Sequence, residues 1–465
     1  MPKDLRYFLK QLAEKRPKEF LVVNKEVDPR FELTGVLRKL QEEGRFPAVL
    51  FERVKNSEMP VIANLTASED LLAIAMGVEK EKLLQTYIER EERRLKPNVV
   101  KTGPVQDVVL KGDDVDLYKL PIVRNCEKDG NDFVTAGITI VKDPDTGVQN
   151  CGIYRMARLS KNRLGLSYEE HTHIAHIHQK FIAQDKPMEV ATYLGHHPAH
   201  MIGSQSKVPL GVDELDVTGG LLEEPVDVVK CKTVDLYVPA WAEIVFEGLA
   251  YSNDREPEGP FGEYTWYYGG ERNSPVMQLT AITHRKDAIY QHLFAAHPEH
   301  NFTGKLGRES VLYKRVKQIM PSVIDVAMPM SGVCRAHAYV KIKKEYDGAG
   351  KVAALSALAS DPFVKLAVVV DEDIDIHNDS EVWWAICTRV QPDKSVFFIS
   401  DAGVSRLDPS AYSIWSRLEK DGLNTKWAID ATKPRFAFFE ERAEVPEKVW
   451  KNIKLSDYIK PEKVD

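Results

Sequence analysis

The chain has 465 residues, 43% hydrophobic and 29% charged, a globular composition that excludes bulk disorder, collagen-like and low-complexity classes. At roughly 150 residues per domain, two or three domains are expected, each able to bury its own core. The 63 basic and 70 acidic residues leave a net charge of −7, the wrong balance for a nucleic-acid protein built on a basic surface.

In chain order, the opening stretch is charged and amphipathic and lacks the apolar centre of a signal peptide. Leu5, Leu9 and Leu12 recur at helical spacing, and 20–23 reads as a strand. Thr66 with Glu69 suggests a capping box before the apolar run 71–76. The charged segment 79–96 predicts a solvated helix that stops at Pro97. From about 105 to 300 the texture becomes β-rich, with strands expected over 133–141, 188–194, 226–232, 242–250, 277–284 and 288–294. Residues 143–147 read as a hairpin loop, and Ile174, Ile177 and Phe181 give 168–183 a helical face. Beyond 305 helices (306–320, 351–359) alternate with strands (336–342, 364–370). Val449, Ile453 and Leu455 suggest a docking helix in the tail. The pattern predicts an α/β (α+β) multidomain chain: an N-terminal α/β domain over 1–104, a sheet-rich or barrel-like domain over 105–304, and a C-terminal α/β domain with a tail helix over 305–465. Five scattered cysteines without a CxxC pair fit a reducing cytoplasm. Apolar runs such as 366–370 are far too short to span a bilayer, so no membrane insertion is expected.

Three constellations carry chemistry. Asn150 and Arg155 in 150–155 offer a neutral oxygen ligand and a cationic fork for a carboxylate or phosphate, unless this is an ordinary edge strand. His171, His173, His176 and His178 crowd eight residues, either as ligands or as surface and packing groups. Their spacing does not let all four reach one ion from a helix. Glu258 and Glu263 flank a Gly-Pro-Phe-Gly turn, where approaching carboxylates would split their pKa values and leave one as an acid; the alternative is an acidic surface turn. There is no dinucleotide fingerprint, Walker A loop or nucleophile elbow.

Taken together, the chain resembles the UbiD family of reversible, non-oxidative decarboxylases that use prenylated FMN. The resemblance rests on NxGxYR at 150–155, VVKC and DLxVPAxAEIVxEG within 228–248, EGPFGE at 258–263, ITxRxDAIY at 282–290 and WAxxTR at 384–389. It implies a central split β-barrel holding the flavin between two α/β domains. It implies Asn150, His173 (with His171 as fallback) and Glu214 as ligands of Mn²⁺ bridging to the flavin phosphate, with K⁺ nearby. Asn150, Ile153, Tyr154, Arg155, His173, Glu214 and Lys365 then become the cofactor-binding set, with Lys365 on the phosphate. Arg155, Glu258 and Glu263 become the catalytic network, Glu263 as the proton donor. The implied partners are a small carboxylic acid, CO₂, a flavin prenyltransferase that supplies the cofactor, and further copies of the chain in a dimer or hexamer.

Between 297 and 308 lie His297, His300, Lys305 and Arg308, and a cation at a helix N-terminus is better placed facing an anion. The expected substrate therefore has a second anionic group, furan-2,5-dicarboxylate being the specific expectation, with His300 and Arg308 as its clamp and His297 beside them. The competing readings are a split-barrel oxidoreductase using ordinary FMN and a non-catalytic flavin-binding subunit of a carboxylase complex. Hydride transfer needs no paired carboxylates, and a carrier needs no Arg155, Glu258 or Glu263.

Overall fold

The computed structural model describes residues 2–411 and 422–459. The first helix, Leu5–Lys15, starts where the Asp4 carboxylate accepts from the Tyr7 amide (2.8 Å) and buries Leu5, Phe8, Leu9 and Leu12 along one stripe. Helix Glu69–Met76 is capped by Ser68, not Thr66, and ends at the left-handed Gly77. Thr66 instead lies buried with its hydroxyl 2.6 Å from that of Thr303. The expected solvated helix is Leu83–Glu92, and it is not solvated all round. Leu83, Tyr87 and Glu91 face inward at i, i+4, i+8, a stripe that the surrounding charges mask in the sequence.

The N-terminal part forms a four-stranded sheet of Phe20–Val23, Ala48–Phe51 and Val61–Ala63, and its edge captures Tyr290–Gln291 from much later in the chain. One hydrophobic core runs from Val27 through Ile138 and Tyr193 to Leu306, so this unit and the middle one pack as a single body. The middle unit is a nine-stranded, curled half-barrel sheet around the antiparallel pair Ile244–Glu258 and Arg272–His284. Their register breaks between Ala250 and Arg255, where the first strand leaves the core and alternates exposed and half-buried residues while its partner stays buried over Ser274 to Met277. The expected strand 133–141 is two, Phe133–Val134 and Ile138–Lys142; only Tyr290–Gln291 of 288–294 is extended in a sheet.

The C-terminal sheet orders Val323–Ala327, His337–Ile342, Leu366–Asp371, Leu423–Asp430 and Val396–Gly403. Ala367 and Val369 point to the core under helices Lys305–Ile319 and Ala349–Ser360, while Leu366, Val368 and Val370 point to the core shared with helix Asp379–Arg389. Burial on both faces explains the unbroken apolar run there. Among the described residues, the tail carries the helical turn Glu447–Trp450 and the 3-10 turn Leu455–Asp457, and Val449, Ile453 and Leu455 are exposed, so the expected docking helix is not formed there. So short a helix is marginal without packing. Among the described residues, no helix is long and apolar enough to cross a membrane.

Candidate active site

Strand Gln149–Ile153 and the residues that follow it bring the first constellation to one end of the curled sheet. Arg155 is nearly enclosed. Its Nη2 donates to Glu258 Oε1 at 2.9 Å and its Nε to Oε2 at 3.3 Å, while Nη1 pairs with Glu263. The guanidinium also lies 4.6 Å from the centre of the Phe261 ring. Burial opposes its charge, but Glu263 and Glu258 more than offset that and hold its pKa above the ordinary value. Glu258 is buried at the end of its long strand, with Ser274 Oγ 3.3 Å from Oε1; Glu263 follows the short strand Phe261–Gly262 and is also buried. The two carboxylates are thus joined through one guanidinium, and Glu263 lines a cavity of about 270 Å³ together with Arg155 and Phe261.

A contiguous cavity of about 450 Å³ is lined by Asn150, His173 and Glu214. Asn150 Nδ2 donates to Glu214 Oε1 (2.7 Å) and lies 3.2 Å from His173 Nδ1, which is 3.8 Å from the same carboxylate oxygen. Glu214 starts helix Glu214–Leu222, capped by Asp213, and its second oxygen accepts from the Cys151 amide at 2.7 Å. Burial pushes the Asp213 carboxyl up to about 7. The buried Asn150 Oδ1 has no hydrogen-bond partner. An orphaned amide oxygen, an imidazole nitrogen and a carboxylate converging on one cavity fit a hard or borderline divalent cation. His173 opens helix His173–Ala183 and meets Asn150 directly; His171 lines both cavities without such a contact. His178 is instead buried beside the Tyr168 hydroxyl, and burial pushes it down to about 4.

Ile153, Tyr154, Gln205, Lys207, Arg308 and Phe363 line both cavities. Lys207 and Arg335 had no motif to mark them. Burial and the neighbouring Arg308 charge push Arg335 down to about 10, whereas Lys207 stands exposed at the rim of the cavities. Arg335 stacks 4.5 Å from the Tyr264 ring centre and keeps a buried, unpartnered Nη1. These two cations, neither of them ion-paired among the described residues, fit an anionic occupant, such as a flavin phosphate or a substrate carboxylate.

Two expected residues lie elsewhere. Lys365 lines neither cavity; its ammonium is 3.1 Å from Asp408 and also meets Ser410. His297 is buried against Phe294 (4.5 Å, stacked) and caps helix Pro298–Thr303 by accepting from the Glu299 amide. His300 and Arg308 do line the first cavity, but the anion that Arg308 faces is Asp361, 2.5 Å away. Lys305 is buried between Glu309 and Glu69.

Family models for 3-octaprenyl-4-hydroxybenzoate carboxy-lyase match in three pieces: its N-terminal domain over 12–91, its Rift-related domain over 98–298 and its C-terminal domain over 301–431. The chain is 34% identical over 430 residues to an anhydromevalonate phosphate decarboxylase of Methanothermobacter thermautotrophicus, covering 92% of this chain and 97% of that protein. Among solved structures, it is similar to the UbiD-class enzyme HmfF from Pelotomaculum thermopropionicum in complex with FMN, with a TM-score of 0.92, 39% identity, and 98% and 100% of the two chains covered. An evolved dimeric form of HmfF in complex with prFMN matches with a TM-score of 0.88 and 36% identity over 98% of this chain and 100% of that one.

Proposed function

Since the chain belongs to the UbiD family and is a carboxy-lyase, we propose that it uses prenylated FMN to decarboxylate an unsaturated or aromatic acid that carries a second anionic group, with furan-2,5-dicarboxylate as the specific substrate. FMN and prFMN are bound in the solved relatives, and the donor set at Asn150, His173 and Glu214 would hold Mn²⁺ against the flavin phosphate, with K⁺ nearby. Lys207 would take the phosphate-side role expected of Lys365. When bound, the prenylated flavin would supply an electron sink for the pair left behind by departing CO₂.

The chain's own groups do the rest. Arg155 orients the carboxylate to be lost, and Glu258 holds Arg155 in place. Glu263, in its acid form, delivers a proton to the carbon that loses CO₂. His300 and the free Nη1 of Arg335 receive the retained anion, a charge-assisted contact worth about 1.5–3 kcal/mol. Arg308, already paired with Asp361, holds that wall of the cavity. The enzyme would run in reverse under high CO₂, depend on a flavin prenyltransferase for its cofactor, and assemble as a homo-oligomer.

The observation that carries this reading is the Glu258–Arg155–Glu263 network opening on a cavity that also holds unneutralised cations. A plain flavin oxidoreductase or a carrier would use the cations for the flavin phosphate but needs no carboxylate–arginine–carboxylate network. A second occupant of the same charge pattern is a phosphate ester such as the substrate named for the Methanothermobacter relative. The test uses protein co-produced with a flavin prenyltransferase and compares kcat/KM for furan-2,5-dicarboxylate, anhydromevalonate phosphate, pyrrole-2-carboxylate and cinnamate. We expect the dicarboxylate to lead, and Arg335→Ala to cost it about tenfold or more while sparing the monocarboxylates. A preference for cinnamate would overturn the second-anion reading.

A further inference from the structure

The turn that carries both acidic groups is held from outside the cavity by a segment to which no role is assigned, residues 129–131. Its contacts account for three of the turn's main-chain polar groups. Asp129 Oδ1 accepts from the Gly262 amide at 3.0 Å, the Gly130 amide donates to the Pro260 carbonyl at 2.8 Å, and Asn131 Oδ1 accepts from the Gly259 amide at 3.2 Å. The other Asp129 oxygen accepts from the Cys126 amide at 2.9 Å, tying the segment back to its own chain. Gly130 lies so close that a Cβ there would overlap the Gly259 carbonyl oxygen, so this approach is open to glycine alone. Asp129 is buried, and burial is the leading influence on its carboxyl, raising its pKa despite the amides it accepts from.

We propose that Asp129, with Gly130 and Asn131, is a positioning element for the reaction: it fixes the Gly259–Gly262 turn so that Glu258 and Glu263 stay on opposite sides of Arg155. The geometry explains why an acid is used. Asp129 receives two amide donors, one on each oxygen, so an asparagine there must turn its own NH₂ toward one of them and lose that bond whichever way it rotates. Gly262 directly precedes Glu263, so a loosened Gly262 amide moves the donor carboxylate relative to Arg155. Asn131 acts on the other end of the turn, next to Glu258. The inference rests on Glu263 and Arg155 acting as proposed above.

The test uses the prFMN-loaded enzyme and the variants Asp129→Asn and Asn131→Ala. Furan-2,5-dicarboxylate turnover is followed across pH, and the Glu263 carboxyl is titrated by ¹³C NMR on glutamate-labelled protein, assigned by its loss in Glu263→Gln. Asp129→Asn should lower kcat by about tenfold or more with KM and cofactor content within about twofold, and Asn131→Ala should act the same way more weakly. In both, the alkaline limb of the rate profile and the Glu263 titration should shift together to higher pH as the carboxylate leaves Arg155. An unshifted Glu263 titration with wild-type kcat in Asp129→Asn overturns the proposal. If that variant loses its cofactor or fails to fold, Asn131→Ala decides, and unchanged kcat and titration there overturn it equally. If wild-type protein turns over none of the acids, the function proposed above falls, and the Glu263 titration still decides whether residues 129–131 position the turn.

Discussion

A carboxylate can donate a proton only from a defined place, and Glu263 has one. It is buried, bonded to Arg155 and open to the cavity. Glutamine preserves its shape and removes the acidic proton, so Glu263→Gln should retain the bound flavin and lose about 10²-fold or more in kcat, measured on holoenzyme with the flavin spectrum as the loading control. The Asn150–His173–Glu214 group makes a separate prediction. If these residues hold the proposed ion beside the flavin phosphate, His173→Ala or Glu214→Ala should lower flavin and Mn²⁺ content together, read by absorbance and elemental analysis of the same purified sample. A His171→Ala protein that loses both while His173→Ala keeps them would reverse the choice between the two histidines. At this scale the sequence spoke wherever a residue type is rare in its surroundings: an asparagine and arginine around a glycine, and acids flanking a turn. It was silent about Lys207 and Arg335, because an isolated cation looks like any solvated one until its neighbours are known.

Helix Leu83–Glu92 illustrates how an element can be misread. Its charged composition predicts a solvated face, yet Glu91 is buried and accepts from Tyr87 (3.2 Å), Ser310 (2.9 Å) and Lys314 (2.8 Å), the last two on helix Lys305–Ile319. This acid joins the N-terminal unit to the helix that carries Arg308. Glu91→Ala strands three donors and should destabilise the fold by about 2–3 kcal/mol, seen as a lower denaturant midpoint with an unchanged slope. Wild-type stability would show that water replaces the carboxylate. Helix Pro298–Thr303 shows the opposite mismatch. The histidine at 297 reads in the sequence as a ligand-facing cation, but it serves as a neutral cap, and burial pushes it down to about 3.

Across the whole molecule, burial holds several histidines uncharged. His196 is pushed down to about 4, and His197 and His292 to about 3, with loss of water contact the leading cause in each. The unfolded chain protonates these groups near the ordinary value of about 6.5, so below that pH it binds more protons than the folded chain. Their contribution is therefore complete above about pH 6.5 and is lost progressively down to about pH 3–4, at up to about 1.4 kcal/mol per pH unit for each group. Denaturant midpoints should fall steeply between about pH 6.5 and 5, and His292→Gln should flatten that fall by one proton's worth. A midpoint independent of pH over this range would mean that these rings charge without leaving the core.

The sequence alone determined the order of textures, the strands and helices with clean periodicity, and the family, because local spacing and separated motifs are properties of the chain itself. Leu5 to Leu12, the apolar strand Leu366–Asp371 and the motif residues Asn150, Arg155, Glu258 and Glu263 all belong to that part. Only the tertiary structure decided which groups share a cavity. Glu214 meets Asn150 across 64 positions, Arg155 meets Glu258 across 103, and Tyr290–Gln291 leaves its neighbours to complete an N-terminal sheet. The same distinction put Lys365 on Asp408 and left Lys207 in the cavity. Charge and residue type can be read locally, but desolvation and pairing depend on neighbours that arrive from distant parts of the chain, and those neighbours determine whether a cation is a ligand, a brace or a surface group.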